Sequence, residues 1–115
     1  MSDIKKLTEL ITKFRDARDW KQFHNPKDMS LSLVLEAAEL MEHFQWRNSE
    51  EMKEYVVSHK NEVGAELADV LYWVLLISHD LKIDIKETLE KKLVVQEKKY
   101  PVEKSKGSHK KYTDL

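Results

Sequence analysis

Apolar side chains recur along this chain at three- and four-residue steps, the spacing of helices that each turn one stripe towards a core. Ile4, Leu7, Leu10, Ile11 and Phe14 form such a stripe and predict a first helix over residues 3–18. A loop over 20–29 follows, unusually aromatic, with Trp20, Phe23 and His24 ahead of Asn25-Pro26. From about Ser30, the run containing Leu31, Leu33, Val34, Leu35, Leu40, Met41 and Phe44 is apolar on nearly every side. It predicts a second helix that is buried rather than lying on a surface. Asn48 with Glu51 three residues on is a capping box and opens a short polar helix to about residue 57. The next helix is predicted over 59–81, its stretch 63–77 again apolar nearly all round. Asp84 with Glu87 repeats the capping pattern and opens a last helix that ends before Pro101.

These elements make an all-α bundle of four to five helices in one domain, 1–100. Residues 101–115 are polar and Lys-rich and read as an extended tail. Two helices that are apolar on every side need neighbours that a chain of 115 residues cannot supply. The expectation is a bundle completed by oligomerisation, as a homodimer or a homotetramer built as a dimer of dimers.

Composition removes several alternatives. Two glycines and two prolines are too few for a turn-rich β fold. A net charge of −1 gives no electrostatic footprint for nucleic acid. With no cysteine there are no disulfides, thiolate zinc sites or cysteine nucleophiles. The apolar run 70–77 is too short to span a bilayer, and Met1-Ser2-Asp3-Ile4-Lys5-Lys6 lacks a signal-peptide core. A cytoplasmic protein without a membrane partner is expected. There is no Gly-rich phosphate loop, no Gly-x-Ser-x-Gly and no His-Glu-x-x-His.

The chemistry lies in four acids set in apolar surroundings. Glu36 and Glu39 stand three apart inside Leu33-Val34-Leu35-Glu36-Ala37-Ala38-Glu39-Leu40-Met41, and so project from one helix face. Glu66 and Asp69 repeat the arrangement inside Val63-Gly64-Ala65-Glu66-Leu67-Ala68-Asp69-Val70-Leu71. A buried carboxylate must be protonated, paired or metal-bound. Neither apolar segment supplies a Lys or Arg partner. An all-oxygen donor set favours Mg²⁺, with Mn²⁺ as the alternative, over zinc or copper. Other Glu-x-x-Glu pairs, Glu51/Glu54 and Glu87/Glu90, sit among polar residues and are better read as solvated faces. A di-iron carboxylate bundle would need Glu-x-x-His, which is absent. Of the five histidines only His24, in the aromatic loop, is kept as a candidate; His43, His59, His79 and His109 are read as incidental.

Glu36-x-x-Glu39 followed by Glu66-x-x-Asp69 resembles the metal motif of the MazG-like, all-α NTP pyrophosphohydrolases. Further segments resemble the dCTP pyrophosphatase branch of that family: Arg18-Asp19-Trp20-Lys21-Gln22-Phe23-His24, Phe44-Gln45-Trp46, Lys99-Tyr100-Pro101 and Lys110-Lys111-Tyr112-Thr113-Asp114-Leu115. The resemblance covers essentially the whole chain. It implies an enzyme that cleaves a (d)NTP, dCTP or a related dNTP, to the monophosphate and pyrophosphate with Mg²⁺ held by the four acids. It also implies a base pocket lined by Trp20, Trp46 and Trp73, with His24 from the same loop. Three positions depart from the branch: Trp73 where Tyr is usual, Ile11 where the vertebrate enzyme has His, and Gln96 where Asn is expected. They bear on base preference rather than on fold or reaction.

Glu36 or Glu39 is expected to accept the proton of the attacking water. Lys92 and Lys99 are expected to contact phosphate, with Lys111 and Tyr112 folding over the site from the tail. A solvated basic helix end accounts for most of these lysines equally well. The competing readings are a phosphoribosyl-ATP-type pyrophosphohydrolase and a non-catalytic helical interaction module. The acidic quartet argues against the module, which has no use for it.

Overall fold

Side-chain caps decide where most of the helices begin. In a computed structural model describing residues 1–115, Ser2 accepts from the Lys5 amide at 3.2 Å and opens α1, Asp3–Asp16. This helix stops two residues short of the expected end, because the chain turns through Asp19 at a left-handed φ of 54°. A single 3₁₀ turn, Lys21–Phe23, follows.

The second helix, α2, spans Pro26–Glu42 and begins well before the expected Ser30. Asn25 accepts from the Asp28 amide at 2.9 Å, and Pro26 occupies the first helical position, where a missing N–H costs nothing. The apolar period starts only after this polar first turn, so periodicity alone misplaced the boundary. The shift matters because Met29, assigned to the loop, is a fully buried core residue of α2.

The expected capping box is present at α3, Ser49–Ser58: Asn48 accepts from the Glu51 amide at 2.9 Å, and the Glu51 carboxylate accepts from the Asn48 amide at 3.4 Å. After His59 the chain continues as α4, Lys60–Asp80. Asp84 accepts from the Glu87 amide at 3.1 Å and opens α5, Ile85–Lys99. The segment expected to be extended is partly helical, with a short α6, Val102–Ser105, and a 3₁₀ turn, Tyr112–Asp114. All elements are helical or turn, and none is long and apolar enough to cross a membrane.

Two compact units result, Met1–Lys82 and Ile83–Leu115. In the first, α2 packs along α4, and α1 and α3 each pack on α4. Met29, Leu75 and Leu76 are the fully buried apolar side chains. Within one chain α2 and α4 are not buried on every side: Val34 and Leu35 are 63% and 64% exposed, and Leu67 is 52% exposed. Within this unit nothing packs against these faces. In the second unit, Lys86–Glu90 and Lys91–Glu87 pair along the surface of α5, and Tyr100 meets Tyr112 edge-on at 5.9 Å.

The largest buried side chain of the first unit is a cation. Arg15 of α1 is 1% exposed, and its Nη1 and Nη2 donate to Asp80 Oδ2 and Oδ1 of α4 at 2.7 and 2.9 Å. Hydrogen bonds from Arg15 hold the Asp80 carboxyl below the usual carboxylate range. A depressed carboxyl stabilises the fold above its unfolded value, near 4, and that contribution is lost as pH falls through the folded value. Asp80→Ala leaves the buried guanidinium with only the longer 3.6 Å approach of its Nε to Asp16, so it should cost roughly 3 kcal/mol at neutral pH. Urea titration of the full chain reads this loss. The gap between variant and parent should narrow on acidification; a gap that widened instead would contradict the assignment.

Candidate functional site

Helix periodicity places Glu36 and Glu39 on one face of α2, and Glu66 and Asp69 on one face of α4. Packing of α2 along α4 turns the two faces towards each other. One carboxylate oxygen from each of the four residues lies within 4.8 Å of the others. Glu36 and Glu66 are half-buried and Glu39 and Asp69 exposed.

The cluster is not neutralised by the chain. No Lys or Arg forms an ion pair with any of the four. Glu36 Oε2 and Glu66 Oε2 are buried and have no hydrogen-bond partner. Burial, then the charges of Glu39 and Asp69, push the Glu36 carboxyl up to about 7. Burial and the neighbouring Glu39 raise Glu66 as well. Hard, anionic oxygen donors with open lone pairs are the chemistry that a divalent cation satisfies, and the cluster can hold one.

One neighbour was missed by sequence reasoning. His43 Nε2 stands 3.7 Å from Glu66 Oε1, and its Nδ1 shares a 2.5 Å hydrogen bond with the Tyr55 hydroxyl. Tyr55 is itself stacked on His59 at 4.1 Å and covered by the Arg47 guanidinium at 3.8 Å. The signal was available, since His43 follows Glu36 by seven residues and Glu39 by four, and so shares their face. What could not be read was the arrival of Tyr55 from α3.

Beside the acids opens a cavity of about 550 Å³, in the size range of small-molecule sites. Glu36 and Asp69 form part of its wall. Trp20, His24, Tyr72 and Trp73 supply aromatic surface, and Leu10, Ile11 and Phe14 come from the apolar stripe of α1. The stripe therefore lines a cleft as well as a core. Trp20 meets Phe14 edge-on at 5.7 Å, and Trp73 meets His24 edge-on at 5.3 Å. The arrangement is an aromatic, largely apolar cavity next to an acidic cluster that could hold a cation, suited to a ligand with a planar end and an anionic end.

Not every candidate residue lines this cavity. Trp46 lies outside it, 91% exposed in the turn between α2 and α3, at a left-handed φ of 71°. Lys92, Lys99, Lys111 and Tyr112 belong to the second unit. There the Lys99 ammonium lies 4.8 Å from the centre of the Tyr112 ring.

Residues 31–115 match the MazG-like family. The chain is 35% identical to dCTP pyrophosphatase 1 of Bos taurus over 114 residues, which cover 97% of this chain and 68% of the relative. The corresponding human protein, dCTP pyrophosphatase 1 of Homo sapiens, is 32% identical over 97% of this chain and 67% of its own. Among solved structures, a pyrophosphatase from Archaeoglobus fulgidus superposes with a TM-score of 0.83 at 37% identity, covering 88% of this chain and 94% of the other.

Like charges held together without a counter-ion destabilise the fold that holds them. Glu36→Gln should therefore raise the melting temperature of the metal-free chain by several degrees, and should abolish the further rise expected when the parent is given Mg²⁺. Differential scanning calorimetry with and without Mg²⁺ measures both. A variant that melts lower than the parent and still responds to Mg²⁺ would remove Glu36 from the cluster's electrostatics.

Proposed function

This chain belongs to the MazG-like family, and on that premise we propose that it is a dNTP pyrophosphohydrolase acting on dCTP or a related dNTP. The observation that carries the reading is the convergence of four uncompensated carboxylates at the wall of an aromatic cavity. The cavity takes the base, with Trp20, His24 and Trp73 as its surface. Glu36, Glu39, Glu66 and Asp69 hold the cation. Mg²⁺ held there, with Mn²⁺ as the alternative, would supply charge neutralisation for the triphosphate and Lewis-acid polarisation of its phosphorus.

The chain's own groups divide the remaining work. Stacking on Trp20 and Trp73 fixes the base and so aligns the triphosphate with the acids. Water attacks, the bond between the α- and β-phosphates breaks, and the products are the monophosphate and pyrophosphate. The water's proton passes to the carboxylate of Glu36 or Glu39. A helical module without catalysis accounts poorly for Glu36 Oε2 and Glu66 Oε2, buried without partners at a cost nothing else in the fold offsets.

The active form is an assembly of copies of this chain, a homodimer or homotetramer. Leu31, Val34, Leu35, Met41, Leu67 and Leu71 are each more than two-fifths exposed on the two helices that carry the acids. Exposed apolar surface on this scale marks an interface. Trp46, strained and solvent-facing in one chain, is the residue such a partner would cover.

With Mg²⁺ present, pyrophosphate should be released from dNTPs, and EDTA should stop the release. Glu39→Gln should lower kcat roughly 10²- to 10⁴-fold with an unchanged helical circular dichroism spectrum. A Glu39→Gln protein of undiminished rate would overturn the assignment. Sedimentation equilibrium at micromolar concentration should report two or four chains; a monomer there would remove the assembly.

A further inference from the structure

The buried Arg15 does more than pair with Asp80. Its bidentate contact uses one hydrogen from Nη1 and one from Nη2. Nη1 carries a second hydrogen, and His24 Nδ1 lies within hydrogen-bond reach of that nitrogen, at 3.4 Å. A guanidinium is a donor only: it has five N–H groups, no acceptor, and does not lose its proton in proteins. An Nδ1–H at this position would set two N–H dipoles head to head beside a full positive charge. Nδ1 must therefore present its lone pair, and the ring's single proton then sits on Nε2. Burial first, then the charge of Arg15, push His24 below the ordinary histidine range, which also keeps the ring neutral.

His24 is one of the walls of the aromatic cavity and stands edge-on to Trp73, at a 70° interplanar angle. With Nδ1 tied to Arg15, Nε2 is the only polar atom the ring can offer a ligand. Stacking on Trp20 and Trp73 accepts any base, because every base has a π face. Discrimination needs a polar group of fixed sense, since a fixed donor rejects a partner that offers it no acceptor.

We propose that the Asp80–Arg15 pair is a positioning device that locks His24 in the neutral Nε2–H tautomer, so that the cavity reads a hydrogen-bond acceptor on the edge of the bound base. This deepens the dNTP reading and rests on it. A pyrimidine ring nitrogen or carbonyl supplies such an acceptor. Arg15 and Asp80 do not touch the base; His24 does.

Long-range ¹H–¹⁵N spectra of the uniformly labelled full chain at neutral pH report the tautomer directly, with His24→Gln assigning the signal by its loss. The expected result is one species, Nδ1 unprotonated and Nε2 protonated, whose Nε2 signal moves when dCMP is added. Asp80→Asn should loosen the lock and give a mixture of tautomers; should that variant not fold, the parent spectrum still decides. In dCTP assays His24→Ala should raise KM about tenfold, the size of one lost neutral hydrogen bond, with a smaller effect on kcat. His24→Gln, whose amide N–H can stand in for Nε2–H, should recover most of that loss.

Turnover of dCTP by a chain whose His24 carries its proton on Nδ1, or is charged at neutral pH, overturns this inference and spares the functional reading. An unchanged KM in His24→Ala does the same to the base contact. A chain that hydrolyses no nucleotide, and whose His24 signal dCMP leaves in place, overturns the functional reading and the base contact together.

Discussion

Mutual repulsion among Glu36, Glu39, Glu66 and Asp69 is the constraint around which this fold is arranged. Four carboxylates within 4.8 Å cannot all be ionised in a half-buried groove without a counter-charge. They stay together because they are fixed to two helices whose remaining contacts hold them in place. Leu75 and Leu76 of α4 and Met29 of α2 are closed off from solvent, and their burial holds the two helices together although the acids between them stay unpartnered. Burial and the charges of Glu39 and Asp69 push the Glu36 carboxyl up to about 7, the direction that crowded, half-buried acids take without a counter-charge.

Helix α4 organises the rest. Glu66, Asp69, Trp73 and Asp80 follow one another at steps of three, four and seven residues, so a single face runs from the acids through the aromatic slot to the buried ion pair. The same ridge carries the negative charge for a cation, a wall for a planar ring, and the anchor for Arg15 of α1. Attaching α1 at Asp80 is also what brings Leu10, Ile11 and Phe14 to the cavity. A change at the Asp80 end can therefore be felt in the slot without touching the acids.

The exposed apolar faces of α2 and α4 carry a related lesson about scale. Both helices are apolar enough to be interior elements, yet the chain surrounds neither. A bundle of this size has too few helices to cover two all-round apolar ones. The acids lie on the sides of α2 and α4 that face each other, whereas Val34, Leu35 and Leu67 look outwards. Association through those outer sides would leave the groove between the acids open.

Local chemistry was legible from the residues alone. Asn48 with Glu51, and Asp84 with Glu87, announce helix starts because a cap and its amide lie three residues apart on the chain, whatever the rest does. The four acids stand out for the same reason: their three-residue spacing and apolar flanks are properties of single helices. Asn25-Pro26 carries an equally local signal, masked by the apolar period that begins only after it. Tertiary structure alone decided which groups meet across long stretches of chain. Arg15 and Asp80 are 65 residues apart, and nothing in either neighbourhood marks them as partners. Their meeting depends on how α1 lands on α4, as does the choice of Nδ1 rather than Nε2 of His24 as the atom facing Arg15. Spacing along a helix is written in the residues themselves, whereas contacts between helices depend on how entire faces fit together.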